Sequence, residues 1–92
     1  MHAMRVWIKT WKNAHLIQQT TIVRDEEDTR THKVLHALEE GCHELDLAAP
    51  IWLDKNIKEF KRAAKTRFYQ DNFIESIEFD FLELQIIEED LF

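Results

Sequence analysis

The sequence predicts an α+β domain of β-β-α-α-β order, an antiparallel sheet of about three strands with two helices packed on one face. Three observations carry this prediction. Residues 4–12 and 82–88 alternate apolar and polar side chains with a period of two, as half-buried strands do. Residues 29–46 and 55–66 instead repeat their apolar side chains every three or four positions, the spacing of a helix face. The chain also holds a single glycine and a single proline, so little of it is left for long irregular loops. Its 92 residues are enough for one domain, residues 1–92, and too few for two.

In the first strand Met4, Val6, Ile8 and Thr10 point one way, and Arg5, Trp7, Lys9 and Trp11 the other. Residues 12–15, Lys-Asn-Ala-His, form a tight turn in which Asn takes left-handed dihedrals. Residues 16–23, rich in Ile, Val and Thr, return as the second strand of a hairpin. Asp25, Glu26, Glu27 and Asp28 then complement the positive end of a helix dipole, with Asp28 or Thr29 as N-cap. Val34, Leu35, Leu38, Cys42 and Leu45 form the apolar face of the first helix. Gly41 costs that helix about 1 kcal/mol relative to Ala, which marks it as a point of close approach. Pro50 breaks the run. Asp54 caps a second helix over 55–66, with Ile57, Phe60, Ala63 and Ala64 inward. Residues 67–76 are a connection. The final stretch alternates in two phases, Ile77-Phe79-Phe81 and then Leu82-Leu84-Ile86, so a bulge or break falls near 80–82.

The net charge of −6 argues against general affinity for nucleic acid or anionic lipid. That charge is segregated. Residues 52–70 hold six of the twelve basic residues, whereas residues 71–92 hold eight of the eighteen acids and no Lys or Arg. No apolar run approaches the roughly 20 residues that span a bilayer, and the first residues lack the apolar stretch of a signal peptide. The lone cysteine, Cys42, has no internal disulfide partner, which fits a reducing compartment. The expectation is a cytoplasmic protein with no membrane attachment.

Five side-chain groups merit a chemical reading. On the first helix His32, His36 and His43 fall within about 40° of one another, near Glu39, and two His at i and i+4 have the spacing to share a divalent metal. His43 lies roughly 10 Å beyond His36, however, too far to join the same ion, so a solvated polar face is the expectation and no metal is assigned. Cys42 and His43 point about 100° apart and do not form a nucleophile-base pair; Cys42 reads as a core residue. On the second helix Lys55, Lys58, Lys61, Arg62 and Lys65 occupy an arc of about 120°, flanked by Trp52, Phe68 and Tyr69, the ingredients of a single-strand or RNA surface. Trp7 and Trp11 stand on the sheet face opposite the helices, where paired indoles serve as interface anchors. Glu88, Glu89 and Asp90 read as the wet side of the last strand.

Two stretches, Pro50-Ile-Trp-Leu-Asp-Lys-Asn with Glu59-Phe-Lys-Arg, and Phe73-Ile-Glu with Phe79-Asp-Phe-Leu-Glu-Leu, resemble a family of small bacterial proteins of unknown function. The resemblance spans most of residues 29–89 and implies no activity, ligand or site residue. With no nucleophile, metal cluster or paired carboxylates in a catalytic spacing, the sequence reads as a non-enzymatic interaction module without cofactor. The expected partner is a second copy or another protein, through Trp7 and Trp11. The alternative is a nucleic-acid-associated protein using the basic second helix.

Overall fold

The structure is a computed structural model and describes residues 3–89. Its sheet has four antiparallel strands: β1 (Met4–Lys12), β2 (His15–Arg24), β3 (Lys65–Phe68) and β4 (Phe81–Glu89), in the order β2-β1-β4-β3. Two helices, α1 (Arg30–Glu44) and α2 (Asp54–Ala63), join the hairpin to β3, and a single 3₁₀ turn (Gln70–Asn72) follows. The α+β class and the antiparallel sheet are as the sequence predicts. The strand count is not, because β3 occupies residues the sequence reading divided between helix and connection.

Local chemistry accounts for most of these boundaries. Asn13 and Ala14 both take positive φ, 52° and 64°, the pair of left-handed residues that a two-residue hairpin turn needs. Thr29 caps α1, its hydroxyl accepting from the His32 N–H at 3.2 Å. Val34, Ala37, Leu38 and Cys42 are buried on this helix, whereas Leu35 and Leu45 are half-buried at its margins. Gly41 is the expected close approach: a Cβ there would overlap Ile8 Cδ1 and lie 3.4 Å from Ile8 Cγ1 and 3.5 Å from Ile22 Cγ1.

In α2 the cap is Leu53 rather than Asp54, and the Asn56 side chain accepts the Leu53 N–H at 3.0 Å. The helix ends at Ala63, not Thr66, because Ala64 turns left-handed (φ 56°) and its carbonyl accepts the Ile86 N–H of β4 at 2.9 Å. The chain is thereby pulled onto the sheet, and Lys65–Phe68 alternates outward and inward as β3. Ile57 and Ala63 are exposed, so Phe60 and the polar Asn56 are the buried residues of α2.

Asn56 and Asn72 are both 0% exposed and tie this corner together. The Asn56 amide donates to Thr66 Oγ1 and to the Arg67 carbonyl, each at 2.9 Å. Its oxygen also accepts from Asn72 Nδ2 at 2.7 Å. Asn72 in turn donates to the Ile51 carbonyl at 2.8 Å and accepts the Tyr69 N–H at 3.0 Å. Every polar atom of Asn56 is satisfied, as burial demands.

The phase break at the end of the chain falls where the alternation shifts. Residues 78–80 bend, the Asp80 N–H bonds the Trp11 carbonyl at 2.8 Å, and β4 starts at Phe81. The core lies between the helices and one sheet face: Met4, Val6, Ile8, Ile22, Phe68, Leu82 and Leu84 pack against Val34, Ala37, Leu38, Cys42 and Phe60.

Candidate functional site: the open face of the sheet

Since both helices pack on the core side, the residues of opposite parity form a face that no described helix covers. The strand register arranges it in cross-strand rows: Thr21, Trp7, Gln85 and Lys65, then Gln19, Lys9, Glu83 and Arg67, then Leu16, Trp11 and Phe81. Tyr69 continues the third row, its ring centroid 5.5 Å from that of Phe81, while Trp11 stacks on Phe81 at 6.4 Å.

The middle row is charged, and its centre, Lys9 and Glu83, is cut off from water while Gln19 and Arg67 at its ends are exposed. Lys9 and Glu83 are 4% and 5% exposed and pair at 2.9 Å. Arg67 bonds the other Glu83 oxygen at 3.0 Å, and Lys9 donates to Gln85 at 3.2 Å. With no described element above the Lys9–Glu83 pair, its cover is the neighbouring side chains. Trp7 lies across Lys9, whose ammonium sits 3.6 Å from the ring centroid, and the Trp7 N–H reaches over to Gln19 Oε1 at 2.9 Å. Arg67 lies over Phe81 at 4.5 Å. The rings are therefore spread along the sheet rather than standing up from it, and Trp7 and Trp11 are half-buried. Desolvation is the largest influence on Glu83 and pushes its carboxyl up, but the bonds and charges of Lys9 and Arg67 together outweigh it and hold the carboxyl below the usual range.

The expected basic arc is only partly one surface. Lys55, Lys58, Lys61 and Arg62 are exposed on α2, but Lys65 belongs to β3 and stands on the open face beside Gln85. Lys55 pairs with Asp71 at 3.1 Å and approaches the Tyr69 ring at 5.4 Å, so one end of the helix arc meets the aromatic face at Tyr69. Lys61 lines an apolar groove of about 320 Å³ between the helices, with Arg30, Trp52 and Phe60.

His32 and His36 stack at 6.2 Å, but His32 Nδ1 is engaged by Asp28 Oδ1 at 2.9 Å. His36, Glu39 and His43 line a shallow exposed surface instead of converging, and no metal-binding cluster of three occurs among the described residues. Cys42 is 1% exposed, and burial pushes its thiol up to about 12, while His43 faces outward. Glu88 stands opposite Arg5 on the open face and Glu89 binds Arg30 at 3.0 Å; Asp90 lies outside the described residues.

Sequence reasoning missed Lys9, Glu83 and Phe81, and it placed Arg67 and Tyr69 with the basic arc of the second helix instead of on the open face. Lys9 and Glu83 carried a signal, since each lies on a strand at outward parity beside aromatic neighbours. Arg67, Phe81 and Tyr69 depended on recognising β3 and on the register of β4.

No family model, curated protein or solved structure matches this chain. No described helix is long and apolar enough to cross a membrane.

Proposed function

We propose that this protein is a non-enzymatic interaction module whose working surface is the open sheet face anchored by Trp7 and Trp11. The observation that carries the proposal is the buried Lys9–Glu83 pair, 2.9 Å apart and roofed only by side chains. It fixes the aromatic rings in place before any partner arrives, and preorganised aromatic side chains bind at low entropic cost. The inaccessible thiol of Cys42 favours this reading over nucleophilic chemistry.

A second copy of the chain fits the β2 edge. β2 is ten residues long, carries no charge from Leu16 to Val23, and exposes Leu16, Ile17 and Val23. It lacks the prolines and lysines that blunt unpaired edges. Antiparallel pairing of two β2 edges about a two-fold normal to the sheet joins the sheets and leaves both aromatic faces on one side.

Sedimentation velocity over a micromolar concentration series, combined with acrylamide quenching, tests both parts. The expected result is a dimer that Ile17→Lys converts to monomer without loss of stability, with Trp7 and Trp11 quenchable in both states. A monomer at every concentration refutes the edge pairing. Indoles shielded in the dimer would place the second copy over the open face and refute its assignment as a free working surface.

A further inference from the structure

Resting on that assignment of the open face, we propose that its partner is single-stranded nucleic acid, with bases stacking on Trp7, Trp11 and Tyr69 and phosphates drawn to Arg5, Lys65 and the Arg67 that covers Phe81. The first support is charge. By register the face holds Arg5, Lys9, Lys65 and Arg67 against Glu83 and Glu88. This one face is therefore positive, whereas the whole chain is −6. Most other acids lie around residues 25–28, on α1 and in the 70–80 connection, where Asp71 and Asp80 border the end of the aromatic row but are engaged by Lys55 and by the Asn13 N–H. A cationic face on an acidic protein attracts a polyanion locally while the remaining surface repels it, so the strand is directed to one place.

The second support is the posture of the rings. One side of the Trp7 indole is occupied by the Lys9 ammonium at 3.6 Å, which leaves its other side outward. Phe81 lies between Trp11 at 6.4 Å and Tyr69 at 5.5 Å, forming a continuous aromatic row across β1, β4 and the end of β3. Trp7 and Trp11 are separated by about 13 Å along β1, a span that takes two to three unstacked bases. Base stacking on such rings is tolerant of sequence because every base has a π-face. In a duplex those faces are already stacked, so the face selects single strands. The exposed cations flank the rings: Arg5 lies beyond Trp7 on β1, and Lys65 and Arg67 lie along the β3 edge. Bases over the rings would therefore bring their phosphates over the cations.

The basic face of α2 is a separate surface. Lys58, Lys61 and Arg62 stand on a helix that packs against the other side of the sheet; only Lys55 reaches the aromatic row, through Tyr69.

The test is fluorescence anisotropy of end-labelled oligothymidylate and oligouridylate of about 15 nucleotides, a length within the site sizes of sheet-type single-strand binders. The full chain is titrated at two salt concentrations, with a duplex and anionic phospholipid vesicles as competitors. The expected result is single-strand binding that weakens roughly 7- to 20-fold on a fourfold rise in salt, for two to three phosphate contacts. The paired reversal Arg5→Glu with Lys65→Glu, both at exposed positions, should weaken it at least about tenfold. Trp11→Leu should weaken it at least about fivefold. Lys58→Glu with Arg62→Glu should change it less than about twofold.

Absence of binding at the lower salt overturns the proposal, as does binding that follows the α2 reversal instead of the sheet reversal. Competition by vesicles or duplex equal to that of the single strand also overturns it. Quenchable indoles without oligonucleotide binding would leave the open working face intact and remove only its nucleic-acid partner. Indoles shielded by a second copy would remove both. If Trp11→Leu fails to fold, the charge reversal alone decides the outcome.

Discussion

Removing Lys9 tests the claim that aromatic side chains seal an ion pair on the open face. At 2.9 Å the Lys9–Glu83 attraction is about 6 kcal/mol at an effective dielectric constant near 20, before the cost of desolvating both groups. That dielectric is appropriate because only one layer of side chains separates the pair from water. Breaking a buried pair on one side commonly costs about 3–5 kcal/mol, since the remaining charge keeps its desolvation penalty. Here Arg67 stays on Glu83 at 3.0 Å, so Lys9→Met should cost less, about 2–3 kcal/mol. Replacing both partners, Lys9→Met with Glu83→Leu, removes the stranded charge and should recover at least about 1 kcal/mol of that loss. Urea unfolding followed by far-ultraviolet circular dichroism measures each term. A Lys9→Met variant within about 0.5 kcal/mol of wild type, or a double variant weaker than the single, would show that the pair is not sealed from water. The pH dependence has a fixed sign. The Glu83 carboxyl is held below its unfolded value of roughly 4.3, so its contribution is complete above that value and is lost as pH falls through the folded one. In Lys9→Met, desolvation is opposed by Arg67 alone, so acid unfolding should begin at a higher pH.

Other outcomes follow from single positions. Gly41→Ala gains about 1 kcal/mol of helix propensity but forces its methyl into Ile8 Cδ1, for a net loss of about 1–2 kcal/mol. Ile8→Val removes that atom, so the Gly41→Ala/Ile8→Val protein should be at least as stable as Ile8→Val alone in urea melts; a strictly additive double variant contradicts the clash. Ala14→Gly relieves a residue held at φ 64° and should raise stability by up to about 1 kcal/mol, against which an unchanged or lower denaturation midpoint would count. Cys42, with its thiol pushed up to about 12, should ignore a disulfide reagent at neutral pH and react once the protein is unfolded in guanidinium; rapid labelling of the native protein would contradict its burial.

Much of the scaffold was legible because it is local. The alternation of Met4, Val6 and Ile8 against Arg5, Trp7 and Lys9 gave β1 and its two faces, and Asn13 announced the hairpin turn. Thr29 was the cap, Gly41 was the close approach, and the phase change after Asp80 was a real break. β3 escaped because four residues, Lys65–Phe68, carry too little periodicity to compete with a helical pattern running into them. The bond from Ile86 N–H to the Ala64 carbonyl, which pulls that segment into the sheet, spans 22 positions and leaves no local trace. Asn56 and Asn72 were silent for the same reason: each reads as a surface residue until the other is brought to 2.7 Å.

By itself the sequence determined which residues are strand or helix over the long periodic stretches, and that Trp7 and Trp11 share one face of β1 opposite Met4, Val6 and Ile8; the packing of the helices decided which of those faces is the core. Backbone geometry and side-chain period are local properties, so a single chain states them. The tertiary structure decided that β4 runs between β1 and β3, and therefore that Lys9, Glu83 and Arg67 form one row beneath the aromatic rings. It also moved Lys65 from the helix arc to the open face. Strand order and register are set by burial summed over the whole sheet, with no single residue specifying them. The composition of the candidate site became visible only once that pairing was known.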